Sequence, residues 1–318
     1  MDLGGKAMLS KTSRLANESG LLILLFLFFG FLSGGKKSQA DSPQEENKVK
    51  VFVSIAPQAF FLERVGGSHV EVGILVSPGQ SPHTYEPSPR EASALARATV
   101  FFTIGMPFEK MLIEKISSAF RGLEVVDSRQ GIVLLPIEGV ENKTKHGEEE
   151  MDPHFWLDPK RAVIMAGNMA GTLSRIDPAH SSDYQASLKE LEADLADLDT
   201  RLEKLLAPFR GRAIYVYHPA FGYFTESYGL RQVAVEKEGK ELRARDLAEL
   251  AQRIKADSVK VVFAQPQVAG TILRSLESAM SVRVVMIDPL SRDYIRNLEL
   301  IGKQVARSFE NRKTMAAP

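Results

Sequence analysis

The chain of 318 residues contains no cysteine. That excludes disulfides, iron–sulfur clusters, thiolate zinc sites and a cysteine nucleophile, and it leaves any metal to histidine and carboxylate. A charge excess of either sign is missing too. Forty Lys and Arg balance forty Asp and Glu, so no global basic field points to nucleic acid. Neither a GxxxxGK[ST] loop nor a GxSxG elbow occurs. The one long apolar run, Gly20 to Leu32, "GLLILLFLFFGFL", is short of the about 20 residues that span a bilayer core.

Lys6, Lys11 and Arg14 precede that run, and Ser38-Gln39-Ala40 follows it, with small residues at −3 and −1 of a cleavage point. A basic region, an apolar core and small residues make a secretory signal peptide over 1–40; an uncleaved membrane anchor is the competing reading. Without a cysteine to carry lipid, export points to a periplasm. Removing 1–40 takes away five basic and two acidic residues, leaving 35 against 38. Residues 41–48 read as a flexible leader.

What is present is an ordinary globular composition, 44% hydrophobic and 25% charged, over a length that suggests two domains. Short apolar runs alternate with helical patterns. Val49–Ile55, Val70–Val76, Val100–Ile104, Ala213–Tyr217, Gln232–Val235, Val259–Ala264 and Val282–Ile287 read as strands. Many are apolar at nearly every position, as in parallel sheets covered on both faces. Gln58–Val65, Pro89–Arg97, Glu109–Phe120, Pro159–Arg175, Arg243–Lys255, Ala269–Met280 and Arg292–Arg312 read as helices. The longest helix spans Ser181–Leu206, capped by Ser181 or Ser182 and ended by Pro208, with leucines at three- and four-residue steps. The expected fold class is α/β: two lobes, 49–180 and 209–318, each a mainly parallel sheet flanked by helices, joined by one long rigid helix over 181–208.

Six histidines are present. His83 lies in "SPHTYEPSP", a stiff proline-rich loop after a strand, and His154 lies in "DPHFWLDP". His218 ends the strand "AIYVY" before Pro219, and Asp288 ends "VRVVMI" before Pro289. In α/β folds ligands bind outside the carboxyl ends of strands. These four, two per lobe, could therefore converge in the cleft and hold a divalent metal; the competing reading is histidines that satisfy hydrogen bonds at strand ends. Three imidazoles and a carboxylate suit Zn²⁺, and oxygen-richer sets suit Mn²⁺. His69, beside two glycines, and His180, beside Asp177-Pro178, read as exposed structural residues.

"SPHTYEPSP", "DPHFWLDP", "YHPAFGYF" and "IDPL", with "EGKELRARDLAEL" and "VFAQPQ", resemble the zinc/manganese-binding proteins of metal-importing ABC transporters (cluster A-I), above all the periplasmic zinc-uptake group. The resemblance covers nearly the whole chain after 40. It implies a monomeric receptor that captures Zn²⁺ between two lobes and delivers it to a permease subunit with a cytoplasmic ATPase. It carries over His83, His154 and His218 as ligands, with Asp288 or water completing the set. Glu stands at the third position in manganese-type members, so His218 favours zinc over Mn²⁺ or Fe²⁺. The His- and acid-rich loop of many zinc members shrinks here to Glu141–Asp152, with His146 as its one histidine and a possible auxiliary metal group. Glu238 and Glu241 are expected near the cleft, where either could hydrogen-bond a ligand histidine. The rivals are a His₃-type zinc hydrolase and a surface adhesin.

Overall fold

A computed structural model of the chain describes residues 48–117, 122–137, 151–236 and 244–313. The expected signal peptide, residues 41–47 of the leader, residues 138–150 of the acidic loop region with His146, and Glu238 and Glu241 lie outside these residues.

The first half runs β1 (Val49–Val53), α1 (Ala56–Gly66), β2 (Val70–Ile74), α2 (Pro89–Leu95), β3 (Val100–Thr103), α3 (Pro107–Ser117), β4 (Glu124–Asp127) and α4 (Pro159–Ile176). The long helix α5 (Ser181–Leu206) follows. Then come β5 (Ala213–Val216), α6 (Gly222–Ser227), β6 (Arg231–Ala234), α7 (Ala244–Ala256), β7 (Val261–Ala264), α8 (Gly270–Met280), β8 (Arg283–Met286) and α9 (Tyr294–Lys313). Two four-stranded parallel sheets result, with orders β2-β1-β3-β4 and β6-β5-β7-β8. The expected α/β class and the two sheets are observed. In both sheets the chain leaves the second strand in one direction and returns on the other side of the first. The carboxyl ends of β1/β3 and of β5/β7 are therefore switch points where a crevice opens.

β4 and α6 are absent from the expectations. β4 is a four-residue edge strand, "EVVD", whose burial alternates, so it lacks the apolar run that marks the central strands. α6 is only six residues long, with no side-chain cap at Phe221. The serine cap expected for α5 is also wrong. The chain enters through a 3₁₀ turn at Pro178–His180, so both serines already lie inside the helix.

α5 buries Leu191, Leu195, Leu198, Leu202 and Leu206 completely. Against this stripe packs α9, so closely that a Cβ on Gly302 would lie 2.4 Å from Leu202 Cδ2. One continuous core joins α1, α4, α5 and α9 to the first sheet and to one face of the second, where Ile214, Val216, Val261 and Phe263 point. The alternate residues Ala213, Tyr215, Val262 and Ala264 point the other way, into a separate cluster with Leu250, Ile254, Leu276 and Met280.

Polar contacts tie the halves as well. Tyr294 Oη donates to Trp156 O at 2.6 Å, and Trp156 Nε1 donates to Pro289 O at 2.8 Å. Tyr223 Oη donates to Asp152 O at 2.7 Å while accepting from Leu135 N at 3.0 Å. Arg161 bridges Asp158 and Glu226 at 2.7 Å each and lies 4.7 Å from the centre of the Tyr223 ring.

Candidate metal centre

The loop after β2 presents His83. Its hydrogen bonds are local turns: Gln80 N to Ser77 O at 3.1 Å, Thr84 N to Ser81 O at 3.2 Å, and His83 N to Ser81 Oγ at 3.3 Å. Two residues on, Tyr85 is buried edge-on against Phe108 and anchors the segment in the core. Ser88 and Glu91 then form a capping box that starts α2.

His154 sits before a 3₁₀ turn, Phe155–Leu157, whose three side chains are all buried. The carboxylate of Asp152 accepts from the His154 backbone N at 2.9 Å and pairs with its Nδ1 at 2.7 Å. Both side chains are almost fully buried, at 6% and 3% exposure. Gly222 lets the chain pass close to this carboxylate: a Cβ there would stand 2.7 Å from Asp152 Oδ2.

His218 follows β5. The pairing Val216↔Ala234 and the bond from Glu236 N to Tyr217 O extend the β5–β6 register past the strand ends. That register sets Glu236 beside His218, and its carboxylate pairs with His218 Nδ1. Gln265, just beyond β7, donates to His218 O at 3.1 Å.

Three loops from two sheets thus bring three Nε2 atoms together. The separations are 3.4 Å for His83–His154, 3.1 Å for His83–His218 and 3.4 Å for His154–His218. Among the described residues this is the one group of three or more possible ligands that converges, with all ligand atoms within 4.8 Å of one another. A tetrahedral zinc with bonds of about 2.0–2.1 Å needs nitrogen–nitrogen edges of about 3.3–3.4 Å. The triangle is therefore already of the right size. Its chemistry fits too. With Nδ1–H of His154 and His218 directed at carboxylates, their Nε2 atoms carry lone pairs that face the common centre. Converging lone pairs repel one another unless a cation lies between them.

Burial disfavours the protonated forms of His83 and His154. Desolvation of the ring tip, then the like charges of His154 and His218, push His83 down to about 3, although the residue's outer edge is exposed. Desolvation also lowers His154, and the Asp152 carboxylate opposes that shift only in part.

The fourth expected residue is not gathered into the triad. Asp288 Oδ1 accepts from Leu290 N at 2.9 Å, and its carbonyl accepts from Asn297 Nδ2 at 2.7 Å. The bond to Leu290 N forms an Asx-type turn at the end of β8. His69 and His180 are not the exposed residues expected. Both are half-buried, with rings stacked 3.9 Å apart; His69 pairs with Asp183 at 3.2 Å and His180 with Asp177 at 2.7 Å. Sequence reasoning missed Asp152 and Glu236. The first stood in plain view two residues before His154, in "DPH". The second depends on a strand register that only the pairing of β5 with β6 reveals.

The family model described as "Zinc-uptake complex component A periplasmic" matches residues 51–307. A crystal structure of ZnuA superposes with a TM-score of 0.77 at 34% identity, covering 82% of this chain and 99% of that one. A zinc-bound ZnuA deletion mutant does so at 0.76 and 33%, covering 82% and 98%. Among curated relatives, zinc-binding protein AdcA of Streptococcus pyogenes is 24% identical over 93% of this chain, which spans only 64% of that protein's length. A putative metal-binding protein of Chlamydia muridarum is 27% identical over 90% of this chain and 99% of its own. With the family match running through most of the chain and its three histidines, the protein belongs to the zinc-uptake complex component A family.

Proposed function

We propose that the chain is an exported receptor that captures Zn²⁺ between its two sheets and hands it to an ABC permease driven by a separate ATPase. The observation that carries this reading is the triangle of Nε2 atoms, 3.1–3.4 Å on a side. An all-nitrogen triad favours Zn²⁺ over Mn²⁺, which prefers oxygen and binds more weakly at any such site. Water or Asp288 takes the fourth position. The carboxylates of Asp152 and Glu236 fix the ring orientations and place two negative charges around the dication. Capture needs no chemical step, and no general base is proposed.

The shared core and the Tyr294–Trp156–Pro289 relay favour a receptor whose halves move little on loading. Delivery in the periplasm accords with the family match; among the described residues no helix is long and apolar enough to cross a membrane. The lobe boundaries at 180 and 209 are part of the same proposal. Equilibrium dialysis with elemental analysis tests it: one zinc per chain at pH 7.5, retained against a tenfold excess of manganese. Binding of neither metal, or equal binding of both, would refute it.

A further inference from the structure

The three histidines are held very unequally. His154 is 6% exposed, doubly fastened to a buried carboxylate, and followed by a buried turn locked to Pro289 and Tyr294. His218 is 21% exposed, with Nδ1 on Glu236 and its carbonyl held by Gln265. Turning either ring away from the centre breaks a bond to a carboxylate. His83 is different. It is exposed, and among the described residues no acceptor holds its Nδ1. Its backbone is restrained only by turns internal to Ser77–Thr84. The anchor at Tyr85 keeps the loop in place and leaves the imidazole two residues away able to swing.

We infer that His83 is the last ligand to join an arriving zinc ion and the first to leave it, so that metal enters and exits past the Ser77–Thr84 loop. This rests on the zinc-receptor reading above. His154 and His218 form a standing pair whose nitrogens are fixed in direction before the ion arrives, and they suffice to hold a partly hydrated dication. The His83 imidazole then displaces a water on the open side and closes the set. A ligand added after the slow encounter contributes to residence time and not to the rate of capture.

Stopped-flow kinetics with zinc and a chromophoric chelator separate the two rates on the exported chain. For His83→Ala we expect release faster by about 100-fold, the loss of one imidazole from the shell, and association unchanged within about twofold. For His218→Gln, with the metal-free melting temperature as control for the fold, association itself should slow by about tenfold or more. The inference is overturned if His83→Ala slows association as much as His218→Gln does, or leaves release unaltered. Wild-type protein that takes up no zinc would instead overturn the receptor reading, a result the same traces report directly.

Discussion

Asp152→Asn isolates the support beneath His154. The carboxylate accepts two bonds from His154, 2.7 Å from Nδ1 and 2.9 Å from the backbone N, at a site with 3% of the aspartate side chain exposed. An amide has nearly the same shape, and its oxygen can accept both bonds, so ring placement survives. What disappears is the charge. Bonds to an ionised acceptor contribute about 1.5–3 kcal/mol against about 0.5–1.5 for neutral ones. The difference acts mainly in the metal-bound state, where the zinc makes Nδ1–H a stronger donor. A loss of about 1–1.5 kcal/mol in zinc binding follows, or roughly 5–13-fold in Kd. Competition titration against a chromophoric chelator at pH 7.5 measures it, with the metal-free melting temperature as control for the fold. Zinc affinity within twofold of wild type, in a variant that melts normally, would refute the claim that this carboxylate works through the ligand.

Gly222→Ala should act on the same carboxylate from the opposite side. Its Cβ would press on Asp152 Oδ2 from 2.7 Å, and a zinc affinity reduced several-fold without a new ligand chemistry is expected by the same titration. Acid should weaken binding, because each protonated imidazole must lose its proton to the incoming ion. With His83 at about 3, however, it stays neutral from pH 7.5 to 5.5, so log K can fall by at most two per pH unit there; a slope of three would contradict the cavity described. The decline beginning near pH 6.5 that ordinary histidines would give is therefore displaced downward for His83 and His154. The same shift has a stability consequence. The unfolded chain takes this proton near 6.5 and the folded one near 3, so metal-free stability should decrease as pH falls through that window, read as a falling melting temperature. His218→Glu exchanges one of the three nitrogens for oxygen and should narrow the preference for zinc over manganese in paired titrations; an unchanged preference would remove His218 from the selectivity argument.

Much of this architecture is legible in the chain. The apolar strands "VFFT" and "AIYV" are buried at every position and announce parallel sheets covered on both sides. The leucine stripe of α5 runs from Leu188 to its last residue, Leu206, and marks most of its 26 residues. His83 and His218 could be selected because each follows or ends an apolar run beside a proline, a local signal of a loop at a strand's carboxyl end; His154 has the proline before it and an aromatic run after it. Their spacings of 71 and 64 residues hold no signal; only the family resemblance and the folded sheets unite them. Glu236 illustrates the limit. It belongs to the charged cluster from which the sequence points to Glu238 and Glu241 instead; those two lie outside the described residues, and the register Val216↔Ala234 sets Glu236 beside His218. Asp288 shows the converse: its strand-end position is as good as that of His218, yet its carboxylate is not gathered with the three imidazoles, and its Oδ1 accepts from Leu290 N.

The most direct test is a crystal grown with zinc and measured on both sides of the zinc absorption edge. The account predicts one anomalous peak between the two sheets, about 2.0–2.1 Å from Nε2 of His83, His154 and His218, with Nδ1 of His154 still on Asp152 and that of His218 on Glu236. A peak bound elsewhere, or a zinc that draws on fewer than these three imidazoles, would contradict it.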